Sequence, residues 1–108
     1  MALQVTIAQR VTEIPLRDGE MLIGRADPSR GMVPAVDLTA DDAVSRRHAR
    51  ITGRGGAYFL ADLGSTNGTK LNNRWLEPNR ETPLNAGDRI ELGALTTITV
   101  LEAAPGNA

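Results

Sequence analysis

A chain of 108 residues that is 41% apolar supplies one hydrophobic core and therefore one domain. Its formal net charge of −1 argues against a general nucleic-acid or membrane-surface binder, which would carry a basic excess. The absence of cysteine excludes disulfides, thiolate catalysis and zinc–thiolate sites.

The N-terminus "MALQVTIAQR" has no charged region followed by an apolar one, so no secretory signal is expected. In "LQVTIAQRV", Leu3, Val5 and Ile7 alternate with Gln4, Thr6 and Ala8, the period of a half-buried strand. "RDG" at 17–19 reads as a hairpin turn joining "EIPL" to "EMLIGR". "ADPSRGMVPAV" at 26–36 is irregular and long for a hairpin connection. "TADDAVSRRHARI" at 39–51 carries helical marks. Thr39 with Asp42 imitates a capping box, and Asp42 and Arg46 have the spacing of a helical ion pair. "GRGG" at 53–56 is a loop between "ARIT" and "AYFLADL". "NAGD" at 85–88 is a turn before "RIEL", and the β-branched "TTITVLE" closes the series. The tail "AAPGNA", residues 103–108, reads as flexible. Many short strands between turn signals indicate an all-β sandwich or barrel. No apolar run approaches the ~18 residues that span a bilayer.

Several kinds of site do not match. "GSTNGTK" lacks the Gly-Lys pair and spacing of a P-loop. There is no G-x-S-x-G elbow. His48 is the single histidine, and a nucleophile, base and orienter cannot be assembled around it; scattered carboxylates make no recognisable metal site. The one dense basic patch is "SRRHAR", with Arg46, Arg47 and Arg50. It reads either as a solvated face or as an anion site. Asp41 and Asp42 just before it weaken a nucleic-acid reading, because they would repel a phosphate backbone.

"DLGSTNGTKLN" at 62–72 holds more polar residues than a strand reversal needs, since Asn-Gly alone would suffice. Three separated pieces line up with it: "IGR" at 23–25, "SRRHA" at 45–49 and "LGSTNGT" at 63–69. In this order and spacing, among short strands, they resemble the forkhead-associated (FHA) domain, a phosphothreonine-peptide-binding module. The resemblance covers nearly the whole chain and gives one domain over residues 1–102. It implies a SMAD/FHA-like β-sandwich of about eleven strands, with binding loops at one end and both termini at the other. It also implies that 39–48 is a loop leading into a strand, overriding the local helical marks.

The roles implied by the resemblance have a physical logic. Phosphothreonine carries nearly two negative charges and three acceptor oxygens. Arg25 offers two parallel N–H donors and a permanent charge; Ser45 offers its hydroxyl and its backbone N–H; Arg46 adds a further contact, and Arg47 a lesser one. Thr66 and Asn67 would bind the ligand's backbone, Asn67 with both a donor and an acceptor. Gly24, His48, Gly64 and Gly68 would support the loops structurally, Gly68 by a positive φ and Gly64 by keeping its loop slim beside Ser65. Some family members place an Arg two residues before the motif serine, where it selects an acidic ligand residue three positions after the phosphothreonine. Ala43 stands there instead, and with Val44 it would favour an apolar or neutral ligand residue.

The resulting expectation is a phosphothreonine-dependent interaction module in Ser/Thr kinase signalling, without catalysis, cofactor or metal. The implied setting is one cytoplasmic domain of a larger bacterial protein. Its partner is a phosphothreonine-containing protein or peptide, with a Ser/Thr protein kinase upstream and neither nucleic acid nor membrane bound. The alternatives are an FHA-like scaffold making phosphate-independent contacts and a nucleic-acid binder through Arg46, Arg47 and Arg50.

Overall fold

The computed structural model describes residues 1–102; the tail expected to be flexible, 103–108, lies outside them. Eleven strands follow in chain order: β1 Ala2–Ile7, β2 Arg10–Pro15, β3 Gly19–Gly24, β4 Val36–Asp37, β5 Ala49–Arg54, β6 Ala57–Asp62, β7 Thr69–Leu71, β8 Arg74–Trp75, β9 Thr82–Leu84, β10 Arg89–Leu92 and β11 Thr96–Leu101. A 3₁₀ turn, Pro28–Arg30, interrupts the segment between β3 and β4. The strands form a six-stranded sheet in the order β2-β1-β11-β10-β7-β8 and a five-stranded sheet in the order β4-β3-β5-β6-β9. Neighbours run antiparallel except β3 and β4, which are parallel.

Alternation places one face of the central strands inside, while β2 and β8 at the edges of the six-stranded sheet bury no residue. Leu3 and Val5 of β1, Ile90 and Leu92 of β10, and Ile98 and Val100 of β11 meet Met21 and Ile23 of β3, Ile51 of β5 and Leu60 of β6. Burying each such side chain is worth about 1.5–3 kcal/mol, and together they hold the sheets face to face. Ile7 pairs with Thr96 while Ala2 pairs with Leu101, so both ends of the described chain lie at one end of β1 and β11. The segments after β3, before β5, after β6 and after β10 collect at the other end.

Three turn expectations need correction. The alternating run at 3–11 is not one strand, because it folds back at Ala8, whose φ of 55° is left-handed. Ala8 is held there by donating its N–H to the Leu95 carbonyl, an anchor that local sequence does not reveal. "RDG" is not a hairpin, since β2 and β3 lie in different sheets. The buried Leu16 takes the chain across, its N–H bound to the Met1 carbonyl, and Gly19 begins β3 at a φ of +94°. The Asn67–Gly68 pair reverses no strand either, because β6 and β7 also lie in different sheets. Tight reversals like that at Ala8 also occur at Gly55–Gly56, with φ of 59° and 84°, and Asn72–Asn73, with φ of 51° and 68°.

No helix forms at 39–51. Thr39 does not cap one: its hydroxyl is bonded to Asp37 and accepts the Ala26 N–H at 2.9 Å. Arg46 pairs with Asp27, not with Asp42. Val44 is buried rather than outward-facing, so it offers a ligand no surface.

Asp41 fixes this segment. It is wholly buried and accepts the N–H groups of Ala43, Ala94 and Leu95 and the hydroxyl of Thr96. The segment before β5 is thereby tied to the β10–β11 turn of the opposite sheet. Burial alone would raise the Asp41 pKa, but these donors outweigh it and hold the carboxyl below its ordinary 3.8. Because the folded value is depressed, the contribution is complete above the unfolded pKa and is lost as pH falls through the folded one. Wild type should therefore lose stability on acidification below about pH 4. Asp41→Asn should lower unfolding free energy at pH 7 by about 2–4 kcal/mol and flatten that acid limb. Urea titrations of both proteins between pH 7 and pH 3 measure this; parallel acid limbs would remove Asp41 as a cause.

Candidate functional site

The loop end is assembled from three segments: the one following β3, residues 38–48, and 63–68. At its centre stands His48, fully buried at the start of β5. Its Nδ1 accepts the Ser45 backbone N–H at 2.9 Å, and its Nε2 lies 2.9 Å from the Gly68 carbonyl. Since Nδ1 accepts, Nε2 carries the proton and donates to that carbonyl. The ring thus joins the "SRRHA" turn to the "GSTNG" loop. One part of the sequence expectation fails here, because the Ser45 backbone N–H already serves His48 and is not presented to a ligand.

The Ser45 hydroxyl has a different orientation. Its Oγ accepts the Thr66 backbone N–H at 3.1 Å, which leaves the hydroxyl proton to donate elsewhere. The Ser45 carbonyl accepts the Arg25 backbone N–H at 3.3 Å, so Arg25 sits beside it. Gly24 permits that approach: a Cβ on it would lie 1.9 Å from the Arg46 carbonyl oxygen. The Arg25 Nε is buried and has no hydrogen-bond partner among the described residues. Arg46 is exposed, with its Nε 3.5 Å from Asp27 Oδ2, and Arg47 is exposed beside it. Asp27 also receives the Ser29 hydroxyl, and Arg30 Nε lies 3.6 Å from the same Oδ2. The Ser29 hydrogen bond, then the charges of Arg46 and Arg30, lower the Asp27 pKa against the effect of burial.

In the second loop, Asn67 is exposed and its Nδ2 donates to the Ala43 carbonyl at 2.8 Å; Thr66 is exposed beside it. The loop's shape comes from Asp62. This buried carboxylate accepts the Gly64 and Ser65 N–H groups and the hydroxyls of Ser65 and Thr69. Desolvation would raise its pKa, yet the four donors hold it below the ordinary value. The Ser65 Oγ in turn accepts the Gly68 N–H. Gly64 and Gly68 have φ of +76° and +80°. A Cβ on Gly68 would also lie 2.8 Å from the ring of Trp75, so the glycine lets the indole lie against the loop. Lys70 Nζ caps that ring 4.7 Å from its centroid.

All nine residues singled out from the sequence lie at this end of the sandwich. Asp27, Asp41 and Asp62 were missed. Asp62 did carry a local signal, an Asp two residues before a glycine, the pattern of an Asx-turn. Asp27 carried no comparable signal, and Asp41 was read only as a charge beside the basic patch.

The arrangement offers outward hydrogen-bond donors and cations, Ser45 Oγ–H, Arg25 and Arg46, next to an exposed amide, Asn67. It suits an anion attached to an extended peptide. It does not suit acid–base catalysis by His48, whose two nitrogens are both engaged.

Known proteins share the pattern. A family model described as the FHA domain matches residues 21–93. FhaB of Mycolicibacterium smegmatis, an FHA domain-containing protein, is 43% identical over 79 residues, 73% of this chain and 47% of its own. FraH of Nostoc is 37% identical over 92 residues, 82% of this chain and 32% of its own. The chain thus spans between a third and a half of these relatives. A solved structure from an analysis of phosphothreonine-dependent FHA domain interactions is 34% identical with a TM-score of 0.71, over 96% of this chain and 99% of that one.

The His48 bridge carries a prediction. His48→Ala should cost about 2–4 kcal/mol, since it opens a cavity and orphans the Ser45 N–H and Gly68 carbonyl. Thermal melts and amide exchange test it: Tm should fall and the Ser45 amide should exchange faster. An unchanged Tm with unchanged protection would show that the loops hold without the ring.

Proposed function

The chain belongs to the FHA family, and from that membership we propose that it is a phosphothreonine-dependent protein-interaction module without catalysis of its own. The observation that carries this reading is the Ser45 hydroxyl. Its acceptor side is filled by the Thr66 N–H and its backbone N–H is committed to His48, so the hydroxyl proton remains for an outside acceptor. Arg25 and Arg46 adjoin it, and each brings a guanidinium fork suited to phosphate.

In this reading the phosphate sits against Arg25, Ser45 Oγ and Arg46. Arg25 supplies paired donors to two phosphate oxygens, and the serine hydroxyl supplies a third contact. Arg46 keeps one edge toward Asp27, and its terminal nitrogens turn to the ligand. Asn67, already bound to Ala43 through Nδ2, presents its Oδ1 to a peptide N–H, with Thr66 alongside. Gly24, His48, Gly64 and Gly68 hold these groups in place. Charge-assisted hydrogen bonds of about 1.5–3 kcal/mol each, less the cost of ordering the peptide, fit micromolar affinity.

The wider setting is part of the proposal. A Ser/Thr protein kinase would create the ligand, and the chain would act in the cytoplasm as a recognition unit of a longer bacterial protein. Among the described residues no helix is long and apolar enough to cross a membrane.

Calorimetry with a phosphothreonine peptide library, and with each hit unphosphorylated, tests the reading. Phosphopeptides should bind and their unphosphorylated forms should not; equal binding by both would favour a phosphate-independent scaffold. Arg25→Ala should abolish binding with the circular dichroism spectrum unchanged, and binding kept within twofold would remove Arg25 from the site. Arg25→Lys should also bind poorly, because a point charge lacks the planar fork. Replacing the phosphothreonine by Glu should fail as well, one charge and two planar oxygens standing in for nearly two charges and three tetrahedral acceptors.

A further inference from the structure

The segment between β3 and β4 contains a cation that the phosphate reading does not use. Residues 27–32 close on themselves: Asp27 N–H donates to the Met32 carbonyl at 3.0 Å, and the Asp27 carbonyl accepts the N–H groups of Arg30 and Met32, both at 3.0 Å. Gly31 follows the 3₁₀ turn in a left-handed conformation, with its N–H on the Pro28 carbonyl. Arg30 therefore stands on a fixed backbone, not on a loose loop. Its Nε and that of Arg46 converge on one oxygen, Asp27 Oδ2, at 3.6 and 3.5 Å. Both side chains are otherwise open, at 71% and 55% exposure, whereas Asp27 beneath them is at 12%. One carboxylate thus gathers two guanidinium groups side by side and neutralises only one charge. Each is held by its Nε edge, leaving its terminal nitrogens to solvent.

We propose that Arg30 is a specificity-determining residue that reads a carboxylate, an Asp or Glu of the ligand close to its phosphothreonine. This rests on the phosphothreonine reading. A phosphate seated on Arg25, Ser45 and Arg46 has its anionic oxygens matched, and Arg30 remains as a neighbouring unspent donor. Asp27 is the positioning residue that keeps the two arginines in register. An acidic side chain flanking the phosphate takes the outer edge of Arg30, and a basic one meets two like charges.

The test takes the tightest phosphothreonine peptide from the library and substitutes Glu, Ala and Lys at each flanking position. Binding is measured by calorimetry near physiological salt to wild type, Arg30→Gln and Arg30→Lys. At one or two positions, Glu should bind wild type about three- to fivefold tighter than Ala, the range of a partly exposed ion pair. Lys there should bind more weakly than Ala. In Arg30→Gln the Glu-over-Ala ratio should fall below twofold while the Ala peptide keeps its affinity, and Arg30→Lys should restore part of the ratio. A Glu scan without any gain, or a gain that survives in Arg30→Gln, overturns the inference while leaving the phosphothreonine reading intact. Failure of every phosphopeptide to bind wild type overturns both.

Discussion

The loop end of the sandwich depends on a single imidazole. His48 is fully buried immediately before β5 begins. One nitrogen takes an N–H from the turn preceding it, and the other gives its proton to a carbonyl 20 residues further along. Two loops that leave the five-stranded sheet, one returning to it at β5 and one crossing to β7 of the other sheet, become one surface through this ring. No aliphatic side chain could replace it, because the groups it joins are an unsatisfied donor and an unsatisfied acceptor in a dry interior. The ring is spent on shape, and the polar work toward solvent is left to Ser45, Arg25 and Arg46.

Two buried carboxylates complete the frame. Asp62 folds its own loop through four short-range donors, whereas Asp41 reaches across to the β10–β11 turn. Each replaces the hydration of several backbone N–H groups with one fixed acceptor, so polar loops can be packed against an apolar core. Their negative charge lies inside while the arginines lie outside. The interior anions orient the loops, while Arg46, Arg47 and Arg30 stay exposed.

The sequence made the strands legible wherever alternation or turn chemistry was local. Leu3, Val5, Ile98 and Val100 point inward as their spacing predicts, and Gly55–Gly56 turns β5 into β6 as "GRGG" suggests. It did not show which sheet the next strand would join. "RDG" and "NG" specify a change of direction, but Leu16 and the Asp62 network decide that these segments cross between sheets. Ala8 escaped notice because its left-handed backbone is imposed by Leu95, far along the chain. The loop motifs were legible only as a set of three separated fragments. Asp41 was illegible for a physical reason, since most of its donors stand 53–55 positions away and no local pattern marks it. The helical marks at 39–51 were real propensities, overridden once Asp37 took Thr39 and Asp27 took Arg46.

The contact between Gly68 and Trp75 gives the molecule a built-in optical reporter. The chain has one tryptophan, and its indole lies against the loop that carries Thr66 and Asn67, beneath the Lys70 ammonium. This indole is exposed on one side, and its emission depends on nearby charge and on solvent access. Any event that stiffens or shifts that loop alters both at once. Intrinsic fluorescence therefore reports on the conformation of that loop without a label, on a chromophore whose signal has a single structural origin.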